Sequence, residues 1–300
     1  LGGTGDDVLL FTSSAGGLAA GGRQRFDGGF GEDVAIIQGG SGVRLDLARG
    51  AGEISLTDVE VVELTRGDDD ATLGGGVHTA FGGMGDDEIT GSGRGETIEG
   101  GVGEDEIRGG GGDDALYGEM SGRGDGFAYA RAVSDNPFLT GPTFSVGYSL
   151  SDDDDIEGGD GDDFILDTIG DDTLSGDDGD DFIIDRAGDD FVEGGDGDDW
   201  ILVNGGRDLV IGGEGDDTLY GDAGGHDFRG GRGDDWIDAG GSRSDRNILE
   251  GGSGDDVLIA GDGEDVMTGG AGADQFVFQV GQLFSATAAQ DRITDFNIFE

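Results

Sequence analysis

The feature that most constrains this chain is a nine-residue register in its Gly, Asp and apolar residues. Residues 149–238 divide into ten consecutive units of nine, whose positions we number as places one to nine. Place six is Asp in nine of the ten units, the exception being His226. Place eight is apolar in every unit: Ile156, Ile165, Leu174, Ile183, Val192, Ile201, Val210, Leu219, Phe228 and Ile237. A disordered or merely acidic chain has no reason to keep both positions in phase, so the register predicts a repeat architecture.

The same register recurs outside this block. Residues 82–117 make four units, residues 251–277 make three, and residues 239–250 read as one unit stretched by three residues. The places where it lapses predict five segments: a divergent strand-rich segment with isolated repeats (1–81), a first repeat block (82–117), an insertion that contains both prolines and a cluster of aromatic residues (118–148), the main repeat block (149–277) and a truncated capping segment (278–300).

A nine-residue unit is too short for a helix and a turn, but it can hold one short strand. Places seven to nine predict a three-residue strand with place eight facing inward, and places one to six predict a turn. Glycine in that turn allows positive φ at no steric cost. Two units complete one coil of 18 residues, and coils stack as parallel strands about 4.8 Å apart. Alternating apolar residues at 43–47 and 59–64 predict further strands. The sequence therefore predicts an all-β fold, a parallel solenoid with two repeats per coil.

Stacking of the coils places the place-six carboxylates in columns, where they repel by roughly a kcal/mol or more per neighbour. Ca²⁺ would separate them, because it accepts six to eight oxygen ligands from carboxylates and backbone carbonyls. Zn²⁺ is disfavoured by the presence of only two His and no Cys, and Mg²⁺ by its reluctance to lose water. The expected ligand residues at place six are Asp87, Asp105, Asp114, Asp154, Asp163, Asp172, Asp181, Asp190, Asp199, Asp208, Asp217, Asp235, Asp256, Asp265 and Asp274. Those in the turns are Gly159, Gly161, Gly179, Gly195, Gly197, Gly213, Gly215, Gly231 and Gly233.

The pattern Gly-Gly-x-Gly-x-Asp-x-apolar-x, found at 194–202 and 212–220, resembles the RTX, or haemolysin-type calcium-binding, repeat. More weakly, residues 28–75 resemble a divergent strand-rich segment of such proteins, and residues 269–296 resemble their closing segment. The resemblance implies a parallel β-roll with Ca²⁺ bound between turns. It also implies type I secretion by Gram-negative bacteria, with the secretion machinery as a partner and folding outside the cell.

The main block contains two columns of turns that are not equivalent. The first column consists of the turns that begin at 158, 176, 194, 212 and 230, all with Gly at places one and four. The second column consists of the turns that begin at Ser149, Asp167, Asp185, Val203 and Gly221. We expect Ca²⁺ at every step of the first column and weaker binding in the second, failing first near His226. Counting the gaps between turns predicts about 8–12 ions, without which the chain is expanded and disordered.

Net charge and the length of the apolar runs disfavour several classes of function. The net charge of −52 disfavours nucleic acid as a partner, and no apolar run is long enough to span a membrane. The chain has no initial Met and no visible signal peptide, and we interpret it as a fragment of a longer exported polypeptide.

His-Glu-x-x-His is absent, so the zinc protease domain found beside RTX repeats in serralysin-like proteins is not expected here, and no catalytic residue is predicted. Three Arg-Gly-Asp sequences and the place-seven residues Trp200 and Trp236 leave the cell surface and glycans open as partners, although we expect both Trp side chains to be surface or stacking residues.

These observations predict a calcium-binding structural and secretion module of a secreted, extracellular bacterial protein. Three alternatives remain open for the whole protein. In one, the roll is the scaffold of an adhesin or of a surface-layer or matrix protein. In another, it is the C-terminal part of a secreted enzyme or toxin whose catalytic domain lies outside this sequence. In the third and least favoured, residues 118–148 form an active or binding site of their own.

Overall fold

A computed structural model describes residues 8–12, 24–27, 30, 33–38, 43–46, 54–57, 59–74, 76–118, 153–240, 246–261, 263–278 and 291–295. Within these ranges the regular structure is entirely β, as predicted. The chain divides into two compact units, Leu1–Ile156 and Glu157–Glu300. The predicted aromatic insertion lies outside the described residues, as does most of the predicted capping segment.

The first unit consists of parallel strands in two main sheets. One sheet has the order β1-β3-β6-β8-β10-β12, the other contains β4-β7-β9-β11, and β2 pairs with β5. The strands are β1 (Val8–Thr12), β2 (Gln24–Asp27), β3 (Val34–Gln38), β4 (Arg44–Asp46), β5 (Ile54–Thr57), β6 (Val61–Glu63), β7 (Asp70–Thr72), β8 (Thr79–Met84), β9 (Glu88–Thr90), β10 (Thr97–Val102), β11 (Glu106–Gly111) and β12 (Ala115–Tyr117). Strands β4 and β6 confirm the two strands predicted from alternating apolar residues, and their residues Leu45 and Val62 are buried.

The second unit repeats this arrangement more regularly. One sheet contains β14-β16-β18-β20-β22-β24-β26, and the other contains β13-β15-β17-β19-β21-β23-β25-β27. The strands are β13 (Asp155–Asp160, in this unit from Glu157), β14 (Phe164–Leu166), β15 (Thr173–Asp178), β16 (Phe182–Ile184), β17 (Phe191–Asp196), β18 (Trp200–Val203), β19 (Leu209–Glu214), β20 (Thr218–Gly221), β21 (Asp227–Arg232), β22 (Trp236–Asp238), β23 (Ile248–Ser253), β24 (Val257–Ala260), β25 (Val266–Ala271), β26 (Gln275–Phe278) and β27 (Arg292–Ile293).

The pairing register confirms a coil of two repeats. Ile183 pairs with Ile165 on one side and with Ile201 on the other, each 18 residues away along the chain. Farther along, Ile237 pairs with Leu258, 21 residues away. This offset matches the three extra residues that the sequence predicts in the unit at 239–250, and the 18-residue offset returns where Leu249 pairs with Met267.

The core of the main block is built on a row of place-eight side chains, to which some strands add a second apolar residue, as β18 does with Val203. All ten place-eight residues of the main block are fully buried, as predicted. Their burial stabilises the coil by about 1.5–3 kcal/mol for each larger apolar side chain. Each coil supplies only two of these side chains, so the core is thin and the turns must be held together by other contacts.

Strand length departs from the prediction. Three- or four-residue strands occur in the sheet that contains β14, but strands β13 to β25 of the opposite sheet span six residues each. The extra residues are places one to three of the first-column turns, which continue the ladder, as in the pairing of Gly195 with Gly213. Glycine at place two provides the positive φ that this path requires, at 127° for Gly195 and 132° for Gly213. Asp177 occupies place two of its turn and adopts a positive φ of 75° although it is not glycine.

Candidate metal centre

The place-six residues of stacked turns form columns, as predicted. In the second unit, the first column continues through Asp256 and Asp274, and the second continues through Asn247, Asp265 and Asp291. In the first unit, one column contains Asp69, Asp87, Asp105 and Asp154, and the other contains Glu96 and Asp114. All the predicted place-six ligands are buried except Asp274, which is half-buried.

One oxygen of each place-six carboxylate is fixed by the neighbouring turn. The backbone N–H of Asp181 donates to Oδ1 of Asp199 at 2.8 Å, and that of Asp199 donates to Oδ1 of Asp217 at 2.9 Å. The same bond joins Asp87 to Asp105 in the first unit at 2.9 Å. This ladder fixes the orientation of each carboxylate, and it satisfies buried N–H groups that would otherwise be costly.

At seven of the place-six residues the other carboxylate oxygen has no such donor. Oδ2 is buried and accepts no hydrogen bond in the described part of the chain at Asp87, Asp105, Asp181, Asp199, Asp217, Asp235 and Asp256. A buried carboxylate oxygen without a donor or a cation is destabilising by roughly 1–3 kcal/mol, more when ionised. A repeated series of such oxygens is therefore a series of candidate metal ligands.

The glycine at place one brings these oxygens close to the turn backbone. A Cβ atom on Gly212 would overlap Oδ2 of Asp217 and would lie 2.7 Å from the carbonyl oxygen of Gly230 in the next turn. The same convergence of carboxylate and carbonyl oxygens recurs at each first-column turn from Gly158 to Gly251. Only glycine leaves this space open, and the resulting oxygen-only environment matches the ligands of Ca²⁺.

Burial raises the pKa of several place-six carboxyl groups. In the first column, burial followed by the charges of neighbouring Asp residues raises the pKa of Asp199 to about 7 and that of Asp217 to about 8. In the first unit, the same causes raise the pKa of Asp87 to about 8 and that of Asp105 to about 9. These carboxyl groups therefore hold protons near neutral pH unless a cation takes the place of those protons. The residues present fit a column of Ca²⁺ ions.

The second column changes character along its length. His226 replaces Asp at place six, and its Nδ1 lies 2.8 Å from Oδ2 of Asp208, with both side chains fully buried. At that turn a Cβ on Gly221 would lie 3.1 Å from Cδ2 of His226, so the imidazole fills the space that carboxylate oxygens fill in the first column. The weaker calcium binding expected near His226 stays a prediction.

A second ladder, at place five, was not anticipated. The N–H of Asp180 donates to Oδ1 of Asp162 at 3.0 Å, and the N–H of Asp198 donates to Oδ1 of Asp180 at 2.9 Å. These exposed carboxylates accept from the backbone N–H of the following turn, whereas the place-six carboxylates accept from the N–H of the preceding turn. Place five is Asp in eight of the ten units of the main block, and this signal could have identified the ladder from sequence.

The remaining candidate features take part in the repeats. Trp200 stacks on Phe182 with ring centroids 4.4 Å apart, whereas Trp236 is 46% exposed, so the predicted stacking and surface roles are confirmed. In the Arg-Gly-Asp sequence at 232–234, the guanidinium of Arg232 pairs with Glu214, and Asp234 accepts the N–H of Asp255 at 2.7 Å. That sequence is part of a repeat turn rather than a free loop.

A protein-family model matches the chain. The family model described as RTX calcium-binding nonapeptide repeat (4 copies) matches residues 90–120, 148–183, 166–201, 193–225, 227–243 and 242–276, which together make up more than half of the chain. No curated protein matches the chain. Among the described residues, no helix has the length and hydrophobicity needed to cross a membrane.

Proposed function

Because this chain belongs to the RTX calcium-binding repeat family, whose nonapeptide repeats bind multiple Ca²⁺ ions, we propose that it is the calcium-folded module of an exported protein. In this proposal the chain remains expanded where calcium is scarce, inside the producing cell. It folds into the roll when it meets millimolar calcium outside. Export by type I secretion, as the family resemblance implies, would then act on the unfolded chain.

The observation that carries the proposal is the series of buried Oδ2 atoms. Two ionised carboxylates about 4.8 Å apart repel by about 3 kcal/mol at an effective dielectric constant of 20, and holding one of them protonated at neutral pH instead also costs free energy. Each further turn adds another such pair, while the thin core adds only two inward side chains per coil. The charge of −52 opposes compaction of the whole chain in the same way. Calcium binding and folding are therefore expected to be one process.

The ligand assignment is part of the proposal. We assign Oδ2 of the place-six Asp residues, together with carbonyl oxygens of the adjacent glycine turns, as the calcium ligands. The bound Ca²⁺ supplies the positive charge that neutralises each column. Backbone N–H groups orient the carboxylates through their hydrogen bonds to Oδ1, and glycine at place one leaves room beside Oδ2 for the ion.

The alternative of an adhesive or matrix scaffold is supported by exposed rings on the second unit. Tyr220 is 41% exposed and Trp236 is 46% exposed, and they belong to the neighbouring strands β20 and β22. Aromatic side chains of this kind suit contact with glycans. A secreted enzyme or toxin with its catalytic domain elsewhere remains the other alternative.

The test is calcium-dependent folding of the purified chain. In EDTA we expect coil-like circular dichroism and a radius of gyration of about 60 Å, as for an unfolded chain of this length. Addition of 5 mM CaCl₂ should produce β-structure and a much smaller radius, whereas 5 mM MgCl₂ should not. A chain that is equally folded and compact in EDTA would contradict the proposal.

A further inference from the structure

The second column contains two acidic residues at a place where the first column contains only glycine. Place one is Asp167 in one second-column turn and Asp185 in the next, 18 residues later. In the first column, place one is Gly from Gly158 to Gly269. In the sequence, these two acids are only departures from the glycine pattern. In the fold, they lie close to another buried carboxylate.

Asp167, Asp172 and Asp185 converge on one point. Each contributes a carboxylate oxygen, and the three oxygens lie within 4.8 Å of one another. All three residues are buried, Asp167 and Asp185 completely. A Ca²⁺ ion binds oxygen at about 2.4 Å, so one ion can contact oxygens up to about 4.8 Å apart. The separation of the three carboxylates therefore fits a single shared cation.

The carboxyl group of Asp185 is an independent sign of a missing ligand. Neither of its oxygens accepts a hydrogen bond from an N–H or O–H group in the described part of the chain. Its surroundings are acidic: burial first, and then the side-chain hydrogen bond and charge of the adjacent Asp190 carboxyl group, raise the pKa of Asp185 above its ordinary value. A fully buried side chain of this type is usually hydrogen-bonded or paired with a cation.

The backbone around the cluster is already held in place. Asp167 accepts the N–H of Ile169 at 3.2 Å, and the N–H of Asp172 donates to Oδ1 of Asp190 at 2.9 Å. The N–H of Asp185 donates to the carbonyl of Leu202 at 2.9 Å. The three carboxylates are thus presented by rigid ladder positions, which is the preorganisation that a metal site needs.

We propose that Asp167, Asp172 and Asp185 together ligate one Ca²⁺ ion in the second column, where the place-one carboxylates of Asp167 and Asp185 join the place-six ligand Asp172 and replace a glycine turn. This inference rests on the proposed function. At this gap the second column therefore departs from the weaker binding expected from its sequence, because place one supplies no carboxylate in the other units of the main block. Oxygen-only ligands disfavour Zn²⁺, and complete burial disfavours Mg²⁺, which keeps several of its waters. The register restricts the site to one position, since the next place-one residue is Val203.

More carboxylates per ion raise calcium affinity. The site therefore fills first as calcium rises, and it holds its ion when the glycine-lined turns have released theirs. We expect a wild-type chain at limiting calcium to retain one ion that is bound at least tenfold more tightly than the others.

The test counts bound ions by equilibrium dialysis against ⁴⁵Ca²⁺, from limiting to saturating calcium. The variant Asp167→Asn/Asp185→Asn should lose one ion per chain, and that ion should be the tightest. The control Asp178→Asn/Asp196→Asn removes the same charge over the same 18-residue spacing, from exposed positions in the first column. It should keep every ion. Equal loss in both variants would overturn the proposal by assigning the effect to net charge.

A shared proton is the competing account of the cluster. If Asp185 and Asp190 share a proton instead of binding metal, the Asp167→Asn/Asp185→Asn variant keeps the full ion count and is at least as stable as the wild type. That result overturns this site and leaves the calcium columns intact. A wild-type chain that binds no ⁴⁵Ca²⁺ overturns the proposed function as well.

A measurement on the unaltered chain covers the case in which the variant fails to fold. Crystals grown with Tb³⁺, which takes the same oxygen ligands as Ca²⁺, would give anomalous peaks at occupied sites. A peak coordinated by Asp167, Asp172 and Asp185 supports the site. Peaks in the glycine-lined turns with none at these three residues overturn it.

Discussion

The two columns of the second unit follow the same coil and differ in the residues at places one and six. Every first-column turn combines Gly at place one with Asp at place six. After its first turn at Ser149, the second column has acid at both places in two turns, passes through Val203 and Asp208, and reaches a buried His226–Asp208 pair. The comparison teaches that the coil is set by the 18-residue register, whereas the chemistry of each turn is set by two side-chain positions.

The largest effect is expected from removing charge inside the first column. Asp199→Asn/Asp217→Asn keeps the Oδ1 acceptors but removes two buried negative charges that face three successive gaps. We expect the loss of about three ions and a loss of stability in calcium of about 3–5 kcal/mol, as when one partner of a buried ion pair is removed. Guanidinium chloride unfolding and calcium counting measure both effects.

The matched control for that variant is Asp198→Asn/Asp216→Asn, at the exposed place-five ladder next to the same turns. Asn can still accept the ladder hydrogen bond there, so stability should change by less than about 1 kcal/mol. Equal losses in the two variants would show that total charge, rather than the buried oxygens, determines calcium binding.

A steric change in the first column should have the next largest effect. Gly212→Ala places a Cβ against Oδ2 of Asp217 and the carbonyl of Gly230. We expect destabilisation by about 1–3 kcal/mol in saturating calcium, from overpacking. Gly93→Ala is the control, because a Cβ there meets nothing within 4 Å. Stability of the control should stay within about 1 kcal/mol of the wild type.

The pH dependence follows from the raised pKa values. In the metal-free fold, burial raises the pKa of Asp181 and Asp235 from 3.8 to about 7. The folded apo chain therefore binds more protons than the unfolded chain between about pH 4 and pH 7. Its stability is greatest below about pH 4 and is lost as pH rises through 7. Circular dichroism of the metal-free chain from pH 8 to pH 4 measures this dependence, and an unchanged spectrum would contradict it. Calcium must displace the protons of the apo fold, whereas the unfolded chain holds almost none above about pH 6, so calcium affinity depends on pH only where the protonated fold is populated.

The smallest expected effect converts the second column toward the first. His226→Asp, beside Gly221, recreates the combination of Gly at place one and Asp at place six. We expect one additional ion and a stability in saturating calcium within about 1 kcal/mol of the wild type, since the buried pair with Asp208 is lost as the new site is gained. An unchanged ion count would show that place six alone does not account for the difference between the columns.

The sequence was sufficient to predict the coil, the core and the columns, because each depends on a period that can be counted. Ile201 and Asp199 were placed correctly from their phase in the register. The six-residue strands, the place-five ladder and the cluster of Asp167 with Asp185 were not predicted. Each depends on contacts between residues 18 apart in stacked turns, where the direction of a side chain decides its partner. At Asp185 the sequence showed a departure from glycine, and only the fold shows that it lies among other carboxylates.

The most direct test of the central claim is a crystal structure of the chain grown in excess calcium, with the occupancy of each ion refined separately. We predict a fully occupied ion at every gap of the first column. In the second column, we predict an ion at Asp167, Asp172 and Asp185 and none between Asp208 and His226. Equal occupancy along both columns, including the turn of His226, would contradict the account.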